Sequence, residues 1–303
     1  MSPQLDCLVI GGGPAGLTAA IYLARFHLNV TVVDEGDSRA LQIACTHNHA
    51  GFPDGISGRE LLARMRLQAT KYGSRIFEGR VQAIDRHSAG FAARGQDFAF
   101  DTRAVLIATG VTNRRPPIDE ALHAEALKLG RLRYCPVCDG YEITDQNVAV
   151  IGSGARAASE CEFLRSFTDR VSLIVDRRDR LTGPTARRLA DIGVRVIDGP
   201  AQQFRLEADG LSFSTAAGRL SFEAVYPALG SVVHSDLATS LGATATEEGC
   251  IKVDGHQRTS VVGLYAAGDV VSGLDQISHA MGEAGVATTT IRNDLASSRP
   301  QLR

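Results

Sequence analysis

The sequence has 303 residues and a formal charge of −2, with 32 Lys and Arg against 34 Asp and Glu, so no net basic field draws in a nucleic acid. Hydrophobic residues make up 44% and charged residues 22% of the chain, ordinary values for a globular protein long enough to bury two cores. No apolar run approaches the roughly 20 residues that span a bilayer, and the first strand begins at Leu5, too early for a signal peptide. A cytoplasmic protein without membrane or nucleic-acid partners is expected.

Asp6 to Ile10 reads as a buried parallel strand, an apolar run with β-branched residues. Gly11-Gly12-Gly13-Pro14-Ala15-Gly16 follows as a glycine turn, and Leu17 to Phe26 reads as a helix rich in Ala and Leu. Gly11 permits the tight turn, Gly13 lets a pyrophosphate approach the backbone, and Gly16 allows close helix–strand packing. The helix N-terminus then offers free N–H groups and partial positive charge to phosphates. A second strand, Val30 to Val33, ends at Asp34, placed about 20 residues beyond the glycines to accept from ribose hydroxyls. Ala104 to Ala108 is a further strand ending at Thr109-Gly110, and Pro116-Pro117 marks a linker.

Next comes Cys135-Pro136-Val137-Cys138-Asp139. A Cys-x-x-Cys pair is a two-electron dithiol/disulfide switch. In a reducing compartment such a pair is catalytic or metal-binding more often than structural. No second close pair or Cys/His pair accompanies it, so no metal site is expected. His47, His49, His234 and His279 show no ligand spacing, and Cys7, Cys45, Cys161 and Cys250 stand isolated. Cys7 and Cys161 read as small buried hydrophobes. Asp139 is placed to be the acid/base of the dithiol; the alternative is a turn residue ahead of Gly140.

Val148 to Ile151 then repeats the first design, leading into Gly152-Ser153-Gly154-Ala155-Arg156-Ala157 and a helix from Ala155 to Phe167. Val171 to Val175 ends at Asp176, followed by Arg177-Arg178, a pair that matches a 2′-phosphate or forms a solvated turn. Phe204 to Val225 alternates and is punctuated by turns, as strands of a small sheet do. Leu264 to Ala267 is a short strand ending at Gly268-Asp269, and Met281 to Leu295 reads as a closing helix. The fold expected is α/β, with two Rossmann-like dinucleotide-binding domains, the second inserted into the first. Two nucleotide sites flanking a dithiol imply a relay in which one cofactor delivers electrons and the other passes them to sulfur.

From about Leu5 to Leu295 the chain resembles the low-molecular-weight thioredoxin reductases. The segments GGGPAGLTAAIYLAR, NHAGFP, ATG, CPVCDG, IGSGARAA, DRR and GLYAAGDV carry the resemblance, in that family's order. It implies an FAD-binding domain at residues 1–113 and 236–303, an NAD(P)H-binding domain at 114–235 carrying the dithiol, and a homodimer. It also implies that the inserted domain swings to present nicotinamide and dithiol alternately to the flavin. By the same resemblance Gly11, Gly13, Pro14, Ala15, Gly16, Asp34, Glu35, Asn48, Thr109, Gly110, Asp269, Gln276 and Ile277 hold FAD. Gly152, Gly154, Ala157, Arg177 and Arg178 hold NADPH, with NADH also open. Cys138 is the inner thiol that meets the flavin, and Cys135 exchanges with the substrate disulfide.

Three positions depart from the family's pattern. Asp176 replaces a His ahead of the two arginines, Thr182 replaces a further Arg, and Asp275 stands where an Arg commonly precedes Gln276. An acid at the end of this strand is how NAD sites hold a ribose 2′-hydroxyl, and it repels a 2′-phosphate. The function expected is an FAD-dependent disulfide reductase moving electrons from NADPH through the Cys135/Cys138 dithiol to thioredoxin or a similar small protein. Alternatives are a flavin-dependent oxidase or reductase of a small-molecule dithiol, a related enzyme fed by a protein donor such as ferredoxin, and a non-enzymatic redox sensor.

Overall fold

The structure, a computed structural model, describes residues 4–176 and 181–298. By their contacts the residues form two compact units. One gathers Met1–Leu41, Ser57–Thr112 and Val232–Arg303; the other gathers Gln42–Ile56 and Asn113–Ser231.

The first unit opens with β1 (Leu5–Ile10), α1 (Pro14–Arg25), β2 (Val30–Asp34), α2 (Gly58–Lys71) and β3 (Arg75–Glu78). A hairpin of β4 (Ala83–His87) and β5 (Gly90–Arg94) leads into β6 (Ala99–Ile107) and then β7 (Val111–Asn113). The sheet runs β3-β2-β1-β6-β5-β4. β1 pairs in parallel with both β2 and β6, which explains its apolar run from Cys7 to Ile10: Cys7 and Val9 face one buried cluster, Leu8 and Ile10 the other. Burying one such side chain contributes about 1.5–3 kcal/mol, so a strand covered on both faces tolerates no alternation with polar residues. Nine of the twelve residues of α1 are buried.

The chain enters the insertion along β7. Then come α3 (Glu120–Lys128), the single turn α4 (Pro136–Asp139), β8 (Val148–Gly152), α5 (Gly154–Leu164), β9 (Val171–Val175), α6 (Gly183–Asp191) and β10 (Arg195–Asp198). A meander of β11 (Gln202–Leu206), β12 (Leu211–Thr215) and β13 (Gly218–Phe222) is next, before β14 (Ala224–Ala228). Two sheets result, β10-β9-β8-β14 and β11-β12-β13. The alternating stretch from Phe204 therefore divides. Phe204, Phe213 and Phe222 line one face of the meander, with neighbouring ring centroids 5.3 and 5.5 Å apart. Ala224–Ala228, buried at every position, instead joins the parallel sheet against β8.

The chain leaves along β15 (Ser231–Val233) and returns to the first unit with α7 (Asp236–Ser240), β16 (Leu264–Ala266) and α8 (Ile277–Ser298). β16 adds to β6 in parallel, and α8 lays Ala280, Ala284, Ala287 and Ile291 into the cluster that α1 shares. Among the described residues no helix is long and apolar enough to cross a membrane.

Candidate active site

The first glycine turn is closed on one side and open on the other. Gly11 has φ of 108°, and a Cβ there would lie 2.2 Å from the Ala108 carbonyl oxygen. A Cβ at Gly16 would lie 1.9 Å from the Gly11 carbonyl oxygen. At Gly13 it would meet only Ser38 Oγ, at 3.1 Å. Pro14 opens α1 without an N–H, Ala15 and Gly16 follow, and no side chain caps this end. By contrast α2, α3 and α6 are capped by Ser57, Asp119 and Thr182. A glycine cradle ahead of an uncapped helix end suits a pyrophosphate, because its donors are unspent.

Asp34 is buried at the end of β2 with its carboxylate engaged. Oδ1 accepts from the Gly12 and Gly36 N–H groups at 3.1 and 3.2 Å, and Oδ2 from the Arg66 guanidinium. Glu35 is exposed and pairs with Arg80 at 3.1 Å. Just past the C-terminal end of β6, Thr109 Oγ1 donates to the His234 carbonyl at 2.6 Å and the Gly110 carbonyl accepts from His234 N–H. The loop after β16 is tied down twice. Gly268 N–H donates to Glu283 Oε2 at 2.7 Å, and Arg39 pairs with Asp269 at 3.4 Å and Asp275 at 3.0 Å. Burial pushes the Asp269 carboxyl up to about 6, with Asp275 and Glu283 adding and Arg39 opposing. Gln276 and Ile277 follow, where α8 begins. An FAD fits this set by its open glycine cradle, uncapped helix and ordered acid at the end of β2.

In the second unit Gly152 ends β8 against β14, where a Cβ would lie 2.8 Å from the Ala228 carbonyl oxygen. Gly154 has φ of 67° with nothing within 4 Å of where its Cβ would be. Ala157 is buried against the turn. Again no side chain caps the helix, since Ser153 Oγ donates to the Asp176 carbonyl at 3.0 Å. A cleft of about 1090 Å³ opens here, lined by Arg114, Arg115, Pro116, Ser153, Asp176 and Pro200 among others. Its size and uncapped helix end fit a nicotinamide dinucleotide. Arg177 and Arg178 lie outside the described residues.

Cys135 and Cys138 form a disulfide across the single turn of α4. Cys135 is the cap of that turn, and its Sγ accepts from Cys138 N–H at 3.1 Å. Both residues are partly buried, and Val137 between them is exposed. Asn48, expected with the flavin residues, groups with this unit: its Nδ2 donates to the Val137 carbonyl at 3.4 Å and its Oδ1 accepts from Thr46. Gly140 is required because a Cβ there would lie 2.6 Å from the Phe167 ring.

Asp139 is no free turn residue. Its Oδ2 pairs with Arg133 Nη1 at 2.9 Å, and its Oδ1 accepts from the Tyr226 hydroxyl at 2.8 Å. Burial pushes its carboxyl above the ordinary carboxylate range, against the pull of Arg133 and Tyr226, while Glu142 pushes the same way as burial. Sequence reasoning missed Arg133, Tyr226, Arg39 and Glu283. The available signals were a polar Tyr226 in a wholly buried strand and a Glu283 on the buried face of α8.

A family model described as pyridine nucleotide-disulphide oxidoreductase matches residues 5–284. The thioredoxin reductase of Listeria innocua is 32% identical over 298 residues, covering 93% of this chain and 91% of that protein. That of Streptomyces coelicolor is also 32% identical, covering 89% of this chain and 87% of its own. Among solved structures, the thioredoxin reductase of Streptococcus pyogenes superposes with a TM-score of 0.89 at 28% identity, over 98% of this chain and all of its own.

Proposed function

This chain belongs to the pyridine nucleotide-disulphide oxidoreductases, and among them to the thioredoxin reductase family; from that premise we propose that it carries electrons from NADPH through FAD to its Cys135–Cys138 pair, and on to thioredoxin or a similar small protein disulfide. One observation carries the reading: the disulfide and the fixed carboxylate of Asp139 share one turn, in the unit that also holds the second glycine turn. Residues 1–113 and 236–303 would form the FAD domain and 114–235 the NADPH domain. A cytoplasmic homodimer is part of the same reading. The half-buried Asp176 in the cleft supports NADH as a second donor, since a carboxylate there suits a ribose hydroxyl better than a phosphate.

Bound flavin would supply the ability to take a hydride and release its two electrons to a disulfide. The chain's own residues govern the chemistry at sulfur. Once the disulfide opens, the Cys138 N–H that donates to Cys135 Sγ stabilises a thiolate there, because a bond to the charged form favours it. With the roles that the family resemblance implies, Cys135 would be the exchanging thiol and Cys138 the inner one. Asp139 moves the proton that each exchange displaces.

Anaerobic titration with NADPH and NADH, followed by flavin absorbance, tests the electron entry. Cys138→Ser should abolish disulfide reduction and spare flavin reduction by nucleotide, while Cys135→Ser should leave Cys138 to give a long-wavelength band beside the flavin. Asp139→Asn should slow reoxidation by disulfide roughly 10²–10⁴-fold, the usual share of general acid–base catalysis. Wild-type turnover in either cysteine variant would overturn the assignment.

A further inference from the structure

The loop leading into α4 and the strand β14 converge on one side chain. Arg133 N–H donates to the Val225 carbonyl at 2.9 Å, which hangs the 131–133 segment on β14 beside Tyr226. The Arg133 side chain is then fixed at two more points: Nε donates to the Gly130 carbonyl at 2.9 Å and Nη1 meets Asp139. Gly130, at φ of 65°, makes room for it, since a Cβ there would lie 2.8 Å from Arg133 Nη2. Tyr226 is wholly buried and spends its hydroxyl proton on Asp139 Oδ1. Such a doubly held carboxylate is costly to build: a polar hydroxyl occupies a buried strand position, and such a group is tolerated only when bonded.

We infer that Arg133 and Tyr226 are positioning residues that hold Asp139 by both oxygens and set when it takes a proton from, or returns one to, the Cys135/Cys138 pair. The inference rests on the proposed dithiol exchange. In that exchange Asp139 accepts the proton of Cys135–SH as its sulfur attacks a substrate disulfide RS–SR. The S–S bond of the substrate breaks, a Cys135–S–SR bond forms, and RS⁻ leaves with that proton as RSH. Cys138 then attacks the mixed disulfide, closing Cys135–Cys138 and releasing the second RSH by the same proton route. Two thiols are oxidised, one disulfide is reduced, and two protons pass to product.

Three charged or titratable groups face Asp139: Arg133 from the preceding loop, Tyr226 from β14 and Glu142 from the turn after α4. Phe167, following α5, contributes only its ring at Gly140. The Oε2 atom of Glu142 is buried and meets no hydrogen-bond partner among the described residues. Arg133 and Tyr226 favour the carboxylate and Glu142 disfavours it. Removing either of the first two moves the Asp139 titration to higher pH; removing the third moves it to lower pH.

The test is the pH dependence of two rates in the flavin-loaded enzyme: reoxidation of the reduced form by a small disulfide, and alkylation of the reduced dithiol by iodoacetamide. Arg133→Gln should shift the Asp139 limb of both profiles upward by about 1–3 pH units, the effect of an opposite charge at this range. Tyr226→Phe should shift it the same way by less than the arginine variant, and Glu142→Gln should shift it down. Arg133→Lys should restore part of the shift, and in an Asp139→Asn background Arg133→Gln should shift nothing. Profiles that lose height but keep their position, or shifts of one sign in all three variants, would overturn the inference. Should Arg133→Gln not fold, Tyr226→Phe, which removes one hydroxyl, carries the test alone. Alkylation needs no physiological disulfide, so an enzyme inert toward disulfides but showing these shifts would sink the proposed function and keep the inference.

Discussion

The two glycine turns share a topology and differ in what they leave free. In the first, the place next to Gly11 belongs to Gly12, because the Asp34 carboxylate fills the space a Cβ would take, 2.2 Å from Asp34 Cγ. That acid is buried and accepts from the turn itself. In the second, Ser153 occupies the equivalent place and bonds to the Asp176 backbone, leaving the Asp176 side chain half-buried at a cleft. The helices differ likewise: nine of twelve residues of α1 are buried but only four of eleven in α5. A turn packed tightly at Gly11, Gly12 and Gly16 and open only at Gly13 suits a ligand that stays, and a turn with slack suits one that exchanges. On the proposed function these are FAD and the nicotinamide nucleotide.

The harshest way to break that contrast is at the last position of each turn. Gly16→Ala drives a methyl to 1.9 Å from the Gly11 carbonyl oxygen, a backbone atom that moves only if the turn opens. The cost should be about 3 kcal/mol, the upper range for over-packing, with loss of bound flavin. The reciprocal Ala157→Gly should cost only about 1 kcal/mol, from helix propensity and a lost methyl. Thermal unfolding and flavin absorbance per chain measure both. Equal losses would mean the two turns are equally tight.

Much of this contrast was legible in the residues. β1-α1-β2 and β8-α5-β9 announce themselves because parallel strands buried on both faces read as apolar runs and their turns need glycine at fixed places. Boundaries were less legible. The first helix begins at Pro14 rather than Leu17, since a proline in the first turn lacks only a donor that the helix leaves unused. The last begins at Ile277 rather than Met281, its first turn closed by Ala280 N–H donating to the Gln276 carbonyl at 2.9 Å. Ala224 and Val225 passed for part of the meander because one residue separates β14 from β13. Burial on both faces, a tertiary property, decides its sheet. The strands β3 and β4 are largely exposed and carry no strong periodic signal. That Asn48 lies by the Cys-x-x-Cys turn, and that Arg133 and Tyr226 meet at Asp139, are long-range facts which no local pattern encodes.

A milder change sharpens the second turn alone. Arg178 follows Asp176 in sequence, and a guanidinium there would hold a 2′-phosphate that Asp176 repels. Arg178→Ala should weaken NADPH by about 1.5–3 kcal/mol, as for a charge-assisted hydrogen bond, or roughly 10- to 150-fold in Kd. NADH should barely change. NADPH should win over NADH in the native enzyme, by a margin that Asp176→Ser widens. Equal losses for both nucleotides would remove the arginine from the specificity argument, and failure of either nucleotide to reduce the flavin would favour a protein donor.

The smallest effect is expected at Gly154, and it separates strain from crowding. Gly11 and Gly154 both have positive φ, 108° and 67°, so a side chain at either is strained. They differ in surroundings: a Cβ at Gly11 collides with the Ala108 carbonyl, and one at Gly154 meets nothing within 4 Å. Gly154→Ala should therefore carry the left-handed backbone penalty alone, about 1–2 kcal/mol, with the fold and flavin content intact. The new methyl would point into open space at the start of an uncapped helix, where phosphates of the nucleotide would approach. Affinity for NADPH and NADH should fall together, since neither the ribose nor the 2′-phosphate is involved. Gly154→Asn supplies the control, because asparagine tolerates the left-handed region better than alanine: it should recover stability without recovering nucleotide affinity. If both variants bound nucleotide as the native enzyme does, the space beside Gly154 would not be the phosphate site, and the slack of the second turn would have no bearing on the cofactor that exchanges there.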